Sequence, residues 1–207
     1  MSSLAQFLKE EYRRPPGPTP SYTNAHVILA ILSIGDARVI GRQALSRETG
    51  IGEGAVRTVV RRLKQANYVK TLASGCTLLP RGERLYSAIR KTIPRIVPVS
   101  HTNLTVGSVQ SAALVRGVAS IVTDGIAQRD AAVKAGADGA TTLIVLRSKI
   151  RVPRGSQDCE GEYPGRIWGF LRRELHPEDE DVMILCGASD QLGSRIGALS
   201  AAITLLQ

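Results

Sequence analysis

Residues 50–64 read GIGEGAVRTVVRRLK, and this stretch decides how the first half of the chain folds. Its apolar residues recur three and four positions apart, which is the spacing of one face of a helix: Val56, Val59, Val60 and Leu63. Gly50 and Gly52 allow a tight turn just before this pattern begins. We therefore predict a helix from Glu53 to Gln65 that follows a glycine turn.

The segments on either side of this helix complete a known order of elements. Helical spacing of apolar residues, followed by two β-branched runs around Ser74-Gly75, predicts three helices, a hairpin and a fourth helix. Helix, short helix, glycine turn, helix and hairpin is the order of a winged helix-turn-helix. We expect this domain over residues 21–93, with helices at 23–34, 41–49, 53–65 and 81–91 and strands at 68–72 and 77–79.

The outer face of the third predicted helix is rich in cations. Arg57 and Arg61 are four residues apart and share one face, and no acid follows Glu53 in the helix. An arginine fork can pair with guanine or with a phosphate through two hydrogen bonds, and a small residue such as Gly54 permits close approach. The predicted contacts to double-stranded DNA are Arg42, Gly54, Arg57, Thr58, Arg61, Arg62, Lys64, Arg81 and Arg84.

The net charge of +9 lies almost wholly in the first half of the chain. Residues 1–97 carry sixteen Lys and Arg against six Asp and Glu, a net charge of +10, whereas residues 98–207 carry eleven against twelve, a net charge of −1. This asymmetry favours a polyanion as the partner of the first half. A solvated basic helix face with no partner is the alternative interpretation.

The first half resembles a known family through Ile40-Gly41-Arg42, the run from Gly50 to Thr58, and Arg62-Leu63-Lys64. These motifs, with Gly17–Pro20 and Leu78–Gly82, are similar to those of archaeal winged-helix proteins classed as transcriptional regulators. The second half also resembles the C-terminal domain of that family, which is of unknown function and has no established ligand. The resemblance implies a DNA-binding transcriptional regulator, in agreement with the charge pattern.

Residues 98–207 are expected to form a small α+β sandwich with its helices against one face of a sheet. Pro94 and Pro98 suggest a linker before it, and residues 157–165 suggest a loop. We predict strands at 99–106, 141–146 and 181–186, an apolar run at 111–118, and helices at 125–135 and from Ser189 or Asp190 to Leu206. This domain would sense a ligand, form a homodimer, or both.

A polar, glycine-containing stretch in the second half is the candidate effector site. Its hydroxyls and cations can bind a small molecule or anion, although Asp130 and Lys134 can equally be an ordinary surface pair at i,i+4. The candidate ligand-binding residues are Gln128, Arg129, Asp130, Lys134, Thr141 and Thr142.

The sequence shows no sign of catalysis, a metal site or a cofactor. The histidines are isolated, the cysteines Cys76, Cys159 and Cys186 have no metal-ligand or disulfide spacing, and nucleotide-binding motifs are absent. We therefore predict no enzyme activity and no cofactor. Two alternatives stay open: a metabolic enzyme with a regulatory winged helix, and a winged helix that binds protein within the transcription machinery.

The N-terminus lacks the apolar core of an export signal, and no apolar run is long enough to span a bilayer. We expect a cytoplasmic protein with no membrane partner. Residues 1–20 are expected to contain a short amphipathic helix over 2–12, with Leu4, Phe7 and Leu8 on one side, followed by an extended proline-rich segment.

Overall fold

The computed structural model describes residues 3–10 and 21–206 of the 207-residue chain. The chain divides into two compact units, unit 1 up to Arg90 and unit 2 from Lys91 to Leu206. The fold class is α+β, as predicted. The predicted proline-rich segment lies outside the described residues.

Unit 1 consists of helices and one hairpin. Its elements are α1 (Ser3–Glu10), α2 (Asn24–Ala37), α3 (Arg42–Thr49), α4 (Glu53–Gln65), β1 (Val69–Leu72), β2 (Gly75–Leu78) and α5 (Pro80–Thr92), whose last two residues belong to unit 2. The α4 helix covers the residues predicted for it. Strands β1 and β2 pair antiparallel, with Val69 opposite Leu78.

The core of unit 1 is almost entirely aliphatic. The apolar face of α4 is buried, and so is the middle of α2, where Ile28, Leu29 and Ile31 are fully enclosed. The α1 helix adds one aromatic contact, because the Phe7 ring meets the Tyr68 ring edge-on with centroids 5.2 Å apart. Burial of these side chains supplies the hydrophobic free energy that holds the helices around the hairpin.

Unit 2 is built on one five-stranded sheet in the order β3-β4-β7-β5-β6, with every neighbouring pair antiparallel. The strands are β3 (Ile96–Val99), β4 (Val109–Val115), β5 (Gly139–Leu146), β6 (Lys149–Arg151) and β7 (Val182–Ala188). The helices are α6 (Ile126–Lys134), α7 (Cys159–Glu162), α8 (Arg166–Leu175) and α9 (Gln191–Ile203).

Helices cover both faces of this sheet. The two predicted helices share one face, as expected, but helix α8, which was not predicted, covers the other. On one face, Leu114, Leu143 and Leu185 form a core with Trp168 and Leu171 of α8. The opposite face packs against α6 and α9. The central strand β7 is buried at every position because both of its faces are covered.

Three other expectations for unit 2 are corrected by the structure. The linker expected around Pro94 and Pro98 contains strand β3, an edge strand, where a proline without an N–H is tolerated. The strand predicted over 99–106 ends at Val99, because the following loop wraps around the buried side chain of Gln110. The loop expected over 157–165 contains the short helix α7, which Asp158 caps by accepting a hydrogen bond from the Gly161 N–H at 3.2 Å.

Candidate functional site

A groove in unit 1 runs between helix α4 and the β1–β2 hairpin, with a volume of about 480 Å³. Four cationic side chains line it: Arg42, Arg57, Arg61 and Lys64. Among the described residues, the lining contains no Asp or Glu. The groove, which we call the basic groove, therefore brings together four of the nine residues predicted to contact DNA.

The geometry of α4 places three of these cations together. Arg57, Arg61 and Lys64 follow one another at intervals of four and three residues and so lie along one side of the helix. All three are exposed, whereas the apolar face that includes Val56 and Leu63 is buried. The helix thus presents a continuous cationic face towards the hairpin.

The fourth cation, Arg42, reaches the groove through a contact that the sequence did not reveal. The Ile40 N–H donates to the Cys76 carbonyl at 3.0 Å, and the Cys76 N–H donates to the Ile40 carbonyl at 2.8 Å. This bridge holds the start of α3 beside β2. At Gly75, where φ is +145°, a Cβ would lie 2.4 Å from the Ile40 carbonyl oxygen, so this close approach requires glycine.

The floor of the basic groove carries no negative charge. Burial raises the pKa of the Cys76 thiol, and the positive charge of Arg42 offsets this only in part. The thiol is therefore protonated at neutral pH. On the hairpin side, Lys64 Nζ donates to the Thr71 hydroxyl at 3.4 Å, and the tip contributes small side chains and no cation.

None of the four groove cations forms an ion pair with any described residue. In contrast, Arg90 of unit 1 forms an ion pair with Asp36 at 2.5 Å. Uncompensated cations on a concave surface produce a positive potential that attracts anions.

The remaining predicted DNA contacts lie outside the basic groove. Gly54 is exposed in the first turn of α4, and a Cβ there would have no atom of the described residues within 4 Å. The Thr58 hydroxyl donates back to the Gly54 carbonyl at 3.2 Å. Arg62 donates to the Tyr22 hydroxyl at 3.0 Å, in a small cleft with Phe7.

Arg81 and Arg84 lie at the start of α5. The Arg81 guanidinium stacks over the Tyr68 ring at 4.4 Å and donates to the Ala66 carbonyl at 2.9 Å, which satisfies a carbonyl at the end of α4. Arg84 is exposed. Both residues keep their charge at the surface, so each can still meet a phosphate.

The six candidate ligand-binding residues of unit 2 do not form one site. Gln128 is buried and donates to the Thr204 hydroxyl at 2.7 Å, and Arg129 pairs with its neighbour Asp130 at 3.2 Å. Lys134 is exposed. Thr141 and Thr142 are adjacent in strand β5 and therefore point to opposite faces of the sheet.

Comparisons with known proteins find a family profile and a solved structure that are similar to parts of this chain. The family profile described as "Domain of unknown function (DUF4443)" matches residues 106–205, which lie in unit 2. The solved structure of hypothetical protein PH0730 from Pyrococcus horikoshii OT3 is similar, with 24% identity and a TM-score of 0.71 over 89% of this chain and 93% of that chain. No curated protein matches the chain. These comparisons show a shared fold across most of the chain.

In the ranges that the structure describes, no helix is both long and apolar enough to cross a membrane.

Proposed function

We propose that the chain is a DNA-binding transcriptional regulator whose first unit is a winged helix-turn-helix. One observation carries the proposal: four cations that form no ion pair with a described residue line a single groove beside α4. The order α2, α3, α4 and hairpin supports a recognition helix followed by a wing. The resemblance of the first half to archaeal winged-helix regulators points the same way.

In this proposal α4 enters the major groove of duplex DNA. Arg57 and Arg61 face the base edges or the adjacent phosphates, and Arg42 and Lys64 hold the phosphate backbone on either side. The hairpin acts as the wing through its backbone and its small residues, since its tip has no cation. Arg62, Arg81 and Arg84 would reach phosphates at the margin of the contact.

Gly54 offers a way to test the close approach of DNA to α4. Its would-be Cβ meets no protein atom within 4 Å, so Gly54→Ala introduces no clash within the protein. Alanine also favours helix by up to about 1 kcal/mol relative to glycine. A loss of DNA affinity in this variant would therefore report contact at the start of α4 rather than misfolding.

Unit 2 is proposed to carry the regulatory function, as an effector domain, a dimerisation domain or both. A two-fold dimer would place two recognition helices on a doubled site, and an effector would change their spacing. Sedimentation of the protein with and without DNA tests the dimer. A monomer at micromolar concentration in both conditions would remove it.

The experiment for the proposed function is equilibrium binding of the full chain to random-sequence duplex DNA across a salt series. We expect dissociation constants of roughly 10⁻⁴–10⁻⁶ M near physiological salt and a linear fall of log affinity with log salt. Absence of binding at low salt would overturn the proposal. It would favour a winged helix that binds protein.

A further inference from the structure

Unit 2 contains a cavity of about 1400 Å³ that lies apart from the six predicted ligand-binding positions except Thr141. Its walls are the loop 100–104, the face of β5 that carries Thr141 and Leu143, and the chain from Tyr163 into helix α8. We call it the α8 cavity. It is about three times as large as the basic groove and lies entirely within residues 91–206.

The apolar part of the α8 cavity is aromatic. Unit 2 contains three aromatic residues, and all of them line it: Tyr163, Trp168 and Phe170. The Trp168 indole N–H donates to the Tyr163 carbonyl at 2.7 Å, which fixes the segment leading into α8. In a chain with only 4% aromatic residues, this concentration favours a surface that packs against a flat or aliphatic molecule.

The charged part of the cavity is cationic. Arg166 and Arg173 line it beside the polar ring of His101, and among the described lining residues there is no Asp or Glu. Arg173 lies over the Phe170 ring at 5.6 Å and also pairs with Glu174 at 2.9 Å. Arg166 is exposed and makes no ion pair with the described residues. The cavity thus places guanidinium groups beside an aromatic wall.

Hydrogen bonds from the sheet hold the loop 100–104, which forms one wall of the cavity. The buried amide of Gln110 accepts hydrogen bonds from Thr102, and its Nε2 lies 3.2 Å from the Thr105 carbonyl and 3.3 Å from the Gly107 carbonyl. On the other side, the Thr141 hydroxyl donates to the Leu104 carbonyl. The wall is therefore formed before any ligand arrives, which lowers the entropic cost of binding.

We propose that the α8 cavity binds a small organic anion in which an apolar body carries a carboxylate or phosphate group. The body packs against Trp168 and Phe170, and the anionic group pairs with the guanidinium groups of Arg166 and Arg173. The role of such a ligand as an effector rests on the proposed function of the chain. Binding of the ligand to the cavity does not rest on that function, because it can be measured in the absence of DNA.

The test uses 8-anilinonaphthalene-1-sulfonate, a fluorescent anion with an aromatic body, and the full chain. Trp168 is the only tryptophan, so occupancy of the cavity should quench its emission and excite the dye by energy transfer. Octanoate should displace the dye at lower concentration than the neutral octanamide. Equal displacement by the two compounds would overturn the anionic part of the proposal.

Variants locate the binding site. Arg166→Gln/Arg173→Gln should weaken dye binding about tenfold or more, the effect expected when charge-assisted hydrogen bonds are lost. The matched control, Arg95→Gln/Arg147→Gln, removes the same charge from exposed residues outside the cavity lining and should change affinity less than about twofold.

A steric variant provides an independent check. Gly169 lines the cavity, and a Cβ there meets no protein atom within 4 Å, so Gly169→Leu should fill space without disturbing the fold. We expect it to block the dye while the far-ultraviolet circular dichroism is unchanged. Unaltered dye binding in both the charge variant and Gly169→Leu would place the dye elsewhere and overturn the proposal.

Discussion

The Thr102 backbone N–H and the Thr102 hydroxyl both donate to Oε1 of Gln110, at 3.1 and 2.9 Å. Nε2 of the same side chain lies 2.9 Å from the Thr102 carbonyl. Gln110 is only 1% exposed, so its amide must find its hydrogen-bond partners within the protein, and it finds them in the 101–107 loop. One buried side chain in β4 thereby shapes the wall of the α8 cavity.

Replacement of Gln110 should therefore loosen this loop. Gln110→Leu leaves carbonyls and an N–H of the loop without partners, which costs about 1–3 kcal/mol of unfolding free energy. Dye binding in the α8 cavity should weaken as well. Thr102→Val is the matched control, because it removes the hydroxyl bond and keeps the backbone bond. Equal stability of Gln110→Leu and wild type in denaturant unfolding would contradict this role.

His26 makes the stability of unit 1 depend on pH. Its Nδ1 accepts a hydrogen bond from the Thr23 N–H at 3.0 Å at the start of α2, and burial lowers the pKa of the imidazole from its ordinary value of 6.5. Below pH 6.5 the imidazole of the unfolded chain binds a proton more readily than that of the folded chain. The contribution of His26 is therefore present above pH 6.5 and is lost as the pH falls through the lowered pKa.

The matched variant is His26→Gln, because glutamine keeps a hydrogen-bond acceptor at this capping position without titrating near neutrality. Thermal unfolding between about pH 7.5 and about pH 5 should show a larger decrease in Tm for wild type than for the variant. Parallel curves for the two proteins would show that His26 does not contribute to the acid sensitivity.

Cys186 should make the free energy of unfolding depend on pH under alkaline conditions. Burial, with a smaller effect from the charge of Asp138, raises the pKa of its thiol from 9.0 to about 12. Above pH 9 the unfolded chain loses this proton first, so stability falls as pH rises from 9 towards 12, by up to about 1.4 kcal/mol per pH unit. The measurement is denaturant unfolding of wild type and Cys186→Ala at pH 8 to about 10.5. If the free energy of unfolding falls with pH no more steeply in wild type than in Cys186→Ala, the raised pKa of the Cys186 thiol is contradicted.

The sequence predicted the elements of unit 1 well because each has a local signal. The α4 helix follows from the spacing of Val56, Val59 and Leu63 and from the glycines that precede it. The bridge between Ile40 and Cys76 was not predicted, since it joins residues far apart in the chain through backbone groups. That bridge is what brings Arg42 to the other groove cations.

Unit 2 was predicted less well because its elements depend on tertiary contacts. Helix α8 was missed, although Trp168, Leu171 and Leu175 lie at helical spacing, because Gly165 and Gly169 weaken the local signal. Because α8 was not predicted, the cavity beside it was not predicted either. The sequence pattern instead predicted a ligand site in the polar stretch 128–142, whose adjacent threonines point to opposite faces of one strand.

The most direct test of DNA binding through the basic groove compares the salt dependence of Arg57→Gln/Arg61→Gln with that of wild type. Loss of these two contacts should weaken binding at least about tenfold, and it should reduce the slope of log affinity against log salt by about 1 for each contact that is to a phosphate. Arg95→Gln/Arg147→Gln removes the same charge from exposed positions of unit 2 and should bind DNA like wild type. If the two double variants lose affinity equally, or if the groove variant binds as tightly as wild type, the DNA does not lie against α4.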